Sequence, residues 1–220
     1  HEVIGVFNLS GMNSLRHLDP VPDHLLTAAG RMSINQSHTL GLFHRAIRIH
    51  LLDSGRKLLL LRRKDHLRTC PGAWGPIGEH VAENEAAAAA AKRALTEELG
   101  GSVLEFIRHS SNLTETGRYI HSRSGDGRIE NQVTWMWAVV LSRRAEDLSL
   151  TFDDEVADHR WVSLREYADW MRLRPLDFCG ETQLALGALG IQRLRRCVAL
   201  ANAAASVSEA WGNCAQVQPT

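Results

Sequence analysis

The sequence predicts an α/β sandwich. Two apolar runs joined by a tight turn read as a hairpin, a long alanine-rich helix follows, and further strands come after it. The 220 residues suffice for one domain with a full core. Hydrophobic residues at 44% against 23% charged are an ordinary globular balance, which excludes disorder, collagen and coiled coil as global descriptions.

Residues 13–37 read as mixed and turn-rich. A helix start is expected at Pro20-Val21-Pro22-Asp23, with Leu25, Leu26 and Ala29 on one side. Residues 46–52 and 57–62 are strands, and Asp53-Ser54-Gly55-Arg56 is the turn between them. A Pro- and Gly-rich loop runs from Cys70 to Gly78. Asn84 to Leu99 contains six consecutive alanines and is a strong helix former, with Leu95 and Leu99 toward the core and Gly100-Gly101 as its stop. Residues 103–108 read as a strand, 109–128 as a long loop or loose hairpin, 133–141 as the clearest strand and 160–162 as a short one. Ser163-Leu164-Arg165-Glu166 has capping-box form and opens a helix through Met171. Residues 181–204 read as a final helix.

This divides the chain into an N-terminal extension (1–36), a main domain (37–180), a packed helix (181–205) and a tail (206–220). Within the extension, residues 1–11 read as expression-derived, with Met12 as the start, and they lack the pattern of a signal peptide. Lys+Arg and Asp+Glu both number 25, so the formal net charge is zero; this argues against duplex nucleic acid as a partner. Cys70, Cys179, Cys197 and Cys214 form no CxxC pair and read as reduced thiols in a cytoplasmic protein. No run reaches the roughly 18–20 apolar residues of a membrane helix. Oligomeric state is left open.

The chemistry concentrates at the alanine-rich helix. Glu97 and Glu98 are adjacent, so they share one broad side of it, and Arg93 lies one turn before Glu97. Glu85 stands at the helix start, where the dipole favours a carboxylate. Paired carboxylates beside a Gly-rich loop suit a hard cation that meets phosphate oxygens; the alternative is a solvated face of Arg–Glu pairs. The segment resembles the Nudix signature. Glu85, Arg93, Leu95, Glu97, Glu98 and Gly100 match in register, whereas Glu79, Ala94 and Gly101 depart from it. The resemblance extends over roughly residues 36–180, toward the branch that holds type 1 isopentenyl-diphosphate isomerase and related hydrolases. It is carried by Leu42-Phe43-His44-Arg45-Ala46, Cys70-Pro71-Gly72-Ala73-Trp74, Ile129-Glu130-Asn131-Gln132-Val133 and Asp153-Asp154-Glu155-Val156.

That resemblance implies an α/β/α sandwich with a central mixed sheet, a small diphosphate-containing ligand and Mg²⁺ (or Mn²⁺). Its metal ligands would be His38, His44, His80 and Glu130, with Gln132 at the fifth position and His38 one residue out of spacing; Glu97 and Glu98 would hold metal on the helix. Glu85 and Arg93 would brace the loop, and Arg63 and Arg68 would bind diphosphate. Isomerisation needs groups that place and remove protons. Gly78 and Gln132 stand where the branch has its cysteine and glutamate, and Leu176 follows Pro175 where a tryptophan is usual. The expectation is therefore a Mg²⁺-dependent hydrolase of a diphosphate linkage in a small organic or nucleotide substrate. The alternatives are a catalytically silent binding module and the isomerase itself.

Overall fold

The computed structural model describes residues 3–9, 26–107, 113–125, 127–185, 191–192, 194–196 and 199. The sheet is organised on β3 (Phe43–Leu52). A long strand, β8 (Arg128–Val140), pairs with it in parallel from Phe43–Asn131 to Leu52–Val140. β7 (Leu113–Gly125) runs antiparallel to β8, so the sheet is mixed. β1 (Val3–Leu9) and β2 (Leu26–Ser33) form an antiparallel pair that joins β3 through Val6–His44 and Phe7–Phe43. β4 (Lys57–Arg63) pairs with β9 (Val156–Ser163).

β3 and β4 pair at Leu52–Leu58 and then diverge. β6 (Ile77–His80) stays on β3, while β5 (Trp74–Gly75) stays on β4, so the chain crosses the gap at Pro76. A cavity opens at this divergence.

One face is covered by α2 (Ala87–Leu99). Its Ala90, Ala91, Ala94, Leu95 and Leu99 are buried against Ile47, Ile49, Leu51 and Trp135. The alanines let the helix axis approach the sheet, and each buried leucine contributes about 1.5–3 kcal/mol. The opposite face is covered by α3 (Leu164–Leu173), whose Tyr167 packs with Leu52, Leu58, Phe178 and Leu194. The Ser163–Glu166 capping box is formed reciprocally. The observed architecture is the expected helix–sheet–helix sandwich.

Several local readings are corrected. Leu26 to Ala29 lie in β2, not in a helix, because the pairing with β1 satisfies their backbone; residues 20–25 lie outside the described residues. The segment before β3 contains a helix the sequence reading passed over, α1 (Ile34–Leu40), capped by a Ser33–Gln36 box. The extension does not stand apart: Ile4 and Val6 are fully buried in the common sheet. Residues 101–106 form a 3₁₀ helix rather than a strand. Gly100 turns the chain at φ 82°, and Val103 N–H bonds back to the Gly100 carbonyl. Of the two alternatives for 109–128, the hairpin is the one formed: its described residues are β7 and the start of β8, paired antiparallel. Of the final helix, α4 (Gly180–Ala185) and a buried Leu194 are described; most of the rest, with Cys197, Cys214 and the 206–220 tail, lies outside the described residues.

The reduced-thiol reading is corrected as well. Cys70 and Cys179 form a disulfide, with Cα atoms 5.4 Å apart. A bridge between Trp74 and Phe178 brings the two segments together, and Cys179 N–H donates to the Trp74 carbonyl. Short-range spacing carries no trace of a pair separated by 109 positions. Among the described residues no helix is long and apolar enough to cross a membrane.

Candidate active site

A cavity of about 420 Å³ opens where β3 and β4 separate, and Arg48, Arg63, His80, Glu98, Glu130 and Gln132 are in its wall. Three histidines gather here: His38 and His80 are in the wall, and the fully buried His44 lies against both. α1 delivers His38, the entry of β3 delivers His44, and β6 delivers His80 through its Ala46–His80 pairing. A ligand nitrogen from each falls within 4.8 Å of the others. Ser37 Oγ lies 3.4 Å from His44 Nδ1, and Leu42 gives the same ring a backbone hydrogen bond. This commits Nδ1 and leaves the buried Nε2 without a hydrogen-bond partner. An imidazole held from behind by a backbone acceptor, with its other nitrogen bare, is the form that ligates a cation. Burial, with His80 and His38 alongside, lowers the His44 pKa to about 3, so the ring is neutral. His38 is less suited. Arg128 hydrogen-bonds its Nδ1, and a guanidinium has only donors, so that nitrogen accepts and the proton sits on Nε2.

Glu130 shares the histidine side of the cavity. It accepts from Gln132 Nε2 at 2.8 Å. Gln132 is paired across the sheet with His44, and its buried Oε1 has no hydrogen-bond partner. The three ring nitrogens lie close enough to share a divalent cation, the bare Nε2 of His44 among them, and Glu130 and Gln132 lie on the neighbouring β8.

The helix motif supplies the other side. Arg93 holds Glu85 bidentately at 3.0 and 3.1 Å, reaches Glu97 at 2.9 Å and donates to the His80 carbonyl at 2.7 Å. Glu85 also accepts from Ala82 N–H, and the guanidinium holds its carboxyl below the usual range. Arg93 therefore couples α2 to the strand that carries His80.

The two adjacent glutamates part company. Glu97 is turned onto Arg93, is half exposed and does not line the cavity, whereas Glu98 does. Burial and the neighbouring Asp153, Glu79 and Glu155 push the Glu98 carboxyl up to about 7, against the pull of Arg63. Arg63 is in the wall, donating to the Thr69 carbonyl and pairing with Glu155 at 3.2 Å. Arg68 is exposed and is not a wall residue. Ala94, at a motif position that departs from the signature, is fully buried in the core.

Sequence reasoning gave no role to Arg48 or Arg128, both in the wall. The available signal for Arg48 is strand alternation, since it shares a face of β3 with His44. Its guanidinium packs on Gly78, across the β3–β6 pairing. A Cβ added at residue 78 would come within 2.7 Å of Arg48 Cζ. Leu176 is 91% exposed.

The family model described as NUDIX domain matches residues 42–178. The chain belongs to the Nudix family. Among curated relatives, an isopentenyl-diphosphate Delta-isomerase of Mycolicibacterium vanbaalenii is 34% identical over 126 residues, covering 57% of this chain and 65% of that protein. An isopentenyl-diphosphate Delta-isomerase 2 of Aromatoleum aromaticum is 30% identical over 155 residues, covering 70% and 74%. The chain thus spans about two-thirds to three-quarters of these relatives' length. Among solved structures, DR0079 from Deinococcus radiodurans superimposes with a TM-score of 0.50 at 14% identity, covering 89% of this chain and 99% of that one. This last likeness is one of fold. It agrees with the sandwich described above, so the fold class read from the sequence holds, and the family match bears out the Nudix resemblance.

Proposed function

We propose that this Nudix protein is a divalent-cation-dependent hydrolase that cleaves a diphosphate linkage in a small organic or nucleotide substrate. The observation that carries the reading is the convergence of Glu98, Arg63 and the histidine group on one cavity. Glu98, with Glu79, Asp153 and Glu155 near it, would hold Mg²⁺ or Mn²⁺; His44, His80 and Glu130 would hold a second divalent cation. Such cations neutralise diphosphate charge and lower the pKa of bound water. The chain's own groups do the rest. Arg63 faces the anionic substrate, Glu85 and Arg93 fix the strand that carries His80, and Glu98 would give up its proton as the cation binds.

The names of the curated relatives favour a second reading, isomerisation. Two features oppose it. The Arg48 guanidinium occupies the space a side chain at Gly78 would need, and Gln132 has no titratable proton. Incubation with a diphosphate panel and Mg²⁺ or Mn²⁺ separates the readings. Phosphate or monophosphate release that Glu98→Gln abolishes supports the hydrolase. Isotope exchange into isopentenyl diphosphate without release supports the isomerase. Neither, with ligand still bound, leaves a silent binding module.

A further inference from the structure

We propose that Cys70 and Cys179 are a redox-active pair through which an external dithiol opens one wall of the cavity, attacking Cys179 and expelling Cys70 as a thiolate beside Arg123. The thiol chemistry stands apart from the hydrolase reading; its effect on diphosphate binding rests on that reading. The bond joins two stretches of one wall. Thr69, Cys70, Ala73 and Trp74 line the cavity from the segment that leads into β5, and Cys179 and Thr182 line it from the segment that enters α4. The fold holds both cysteines in place by other contacts. Ala73 N–H returns to the Cys70 carbonyl, and Arg63 Nε donates to the Thr69 carbonyl at 2.9 Å. Phe178 is buried with Trp74 and Tyr167, and Cys179 N–H donates to the Trp74 carbonyl. A pair placed this way can open without the fold coming apart. What loses its tie is the stretch beyond Phe178. Thr182 there lies against Gly75, where an added Cβ would be 3.2 Å from its Oγ1.

The two cysteines are unlike, and the difference sets the direction of attack. Cys70 is buried, whereas Cys179 is partly exposed. Arg123, on β7, has Nη1 3.8 Å from Cys70 Sγ. A thiolate arriving from solvent meets Cys179 first, and the guanidinium stabilises the negative charge that develops on Cys70. The incoming sulfur bonds to Cys179 Sγ, the Cys70–Cys179 bond breaks, and its electron pair goes to Cys70 Sγ. The second thiol of the reductant gives its proton to solvent and displaces Cys179 Sγ from the mixed disulfide. Two electrons have then passed to the protein, both cysteines are reduced, and the reductant is left as its own disulfide.

The test uses the full chain. Thiols free in the oxidised protein are blocked with N-ethylmaleimide, limiting glutathione is added, newly released thiols are blocked again, and the products are mapped by mass spectrometry. Glutathione is expected on Cys179 and maleimide on Cys70; the reverse pattern overturns the direction of attack. Dithiothreitol is expected to open the bond in the folded protein, about tenfold more slowly in Arg123→Met and at close to the wild-type rate in Arg123→Lys. A bond that resists dithiothreitol overturns the redox assignment, and equal rates in wild type and Arg123→Met overturn the part given to Arg123. Hydrogen exchange at residues 180–185 is expected to quicken on opening, and an unchanged pattern overturns the effect on the wall. Methylenediphosphonate with Mg²⁺ is expected to bind the oxidised chain at least about fivefold more tightly than the reduced one. Equal binding overturns the coupling to the site. Failure of both forms to bind, with exchange still altered, overturns the diphosphate reading and leaves the redox pair standing.

Discussion

The two sides of the cavity start from the same burial and would take a cation by different routes. On the histidine side, His44 is stripped of water until it is neutral, and the backbone selects which nitrogen is bare. On the carboxylate side, burial and the crowding of Asp153, Glu79 and Glu155 raise Glu98 until it holds its proton near neutrality. The first side is prepared by fixing a lone pair, the second by accumulating negative charge that a cation would relieve. The lesson is that a short sequence motif locates only the second. The first depends on three segments that meet through α1, β3 and β6.

The comparison breaks most sharply at Glu98. Glu98→Gln is expected to lower Mg²⁺-dependent phosphate release by about 100-fold or more, in keeping with the loss of one central electrostatic group. Release within threefold of wild type would remove the carboxylate side from the chemistry. His44→Ala is expected to weaken Mn²⁺ binding on the histidine side by at least about tenfold in calorimetry, since even outer partners of a ligand cost that much. An unchanged isotherm would reassign His44 to the core.

Acidity should distinguish the two sides in the metal-free protein. The His44 pKa falls from 6.5 to about 3 on folding, so the stability it contributes is present above 6.5 and is lost as pH drops toward 3. Glu98 runs the other way. Its carboxyl rises from 4.5 to about 7, so stability present below 4.5 is lost as pH climbs toward 7. Thermal melts across this range should show both limbs, with Glu98→Gln flattening the upper limb and His44→Asn the lower. A Glu98→Gln profile that overlays wild type contradicts the assignment. The smallest effect is expected next door. Glu97→Gln removes the exposed pair that Glu97 makes with Arg93 one turn away and should change stability by under about 0.5 kcal/mol, with far less effect on release than Glu98→Gln. Equal losses for the two would erase the distinction between them.

Much of the sandwich was legible because it is written in local patterns. The alanine run with Leu95 and Leu99, the β3–β4 turn at 53–56 and the Ser163–Glu166 box each involve residues a few positions apart. The Glu85–Arg93 pair was legible through the resemblance to the Nudix signature. The parts that escaped depend on distant partners. β1 and β2 are strands because they pair with each other and β1 pairs with β3, and the 101–106 turn is set by Gly100 and the burial of Val103. Within the site, Glu97 and Glu98 are equivalent in the motif and become distinct once Arg93 claims one of them. Arg48 was invisible because its place in the wall depends on a glycine on another strand.

The Cys70–Cys179 bond ties the chain into a closed ring that threads α2, β8, β9 and α3. A loop of that size removes about 4–5 kcal/mol of freedom from the unfolded chain in the chain-entropy account. Because both cysteines border the cavity, the fastening sits in its wall rather than at a remote hem. A thiol reductant would therefore loosen the durability of the whole molecule and the outline of its binding chamber through the same two atoms.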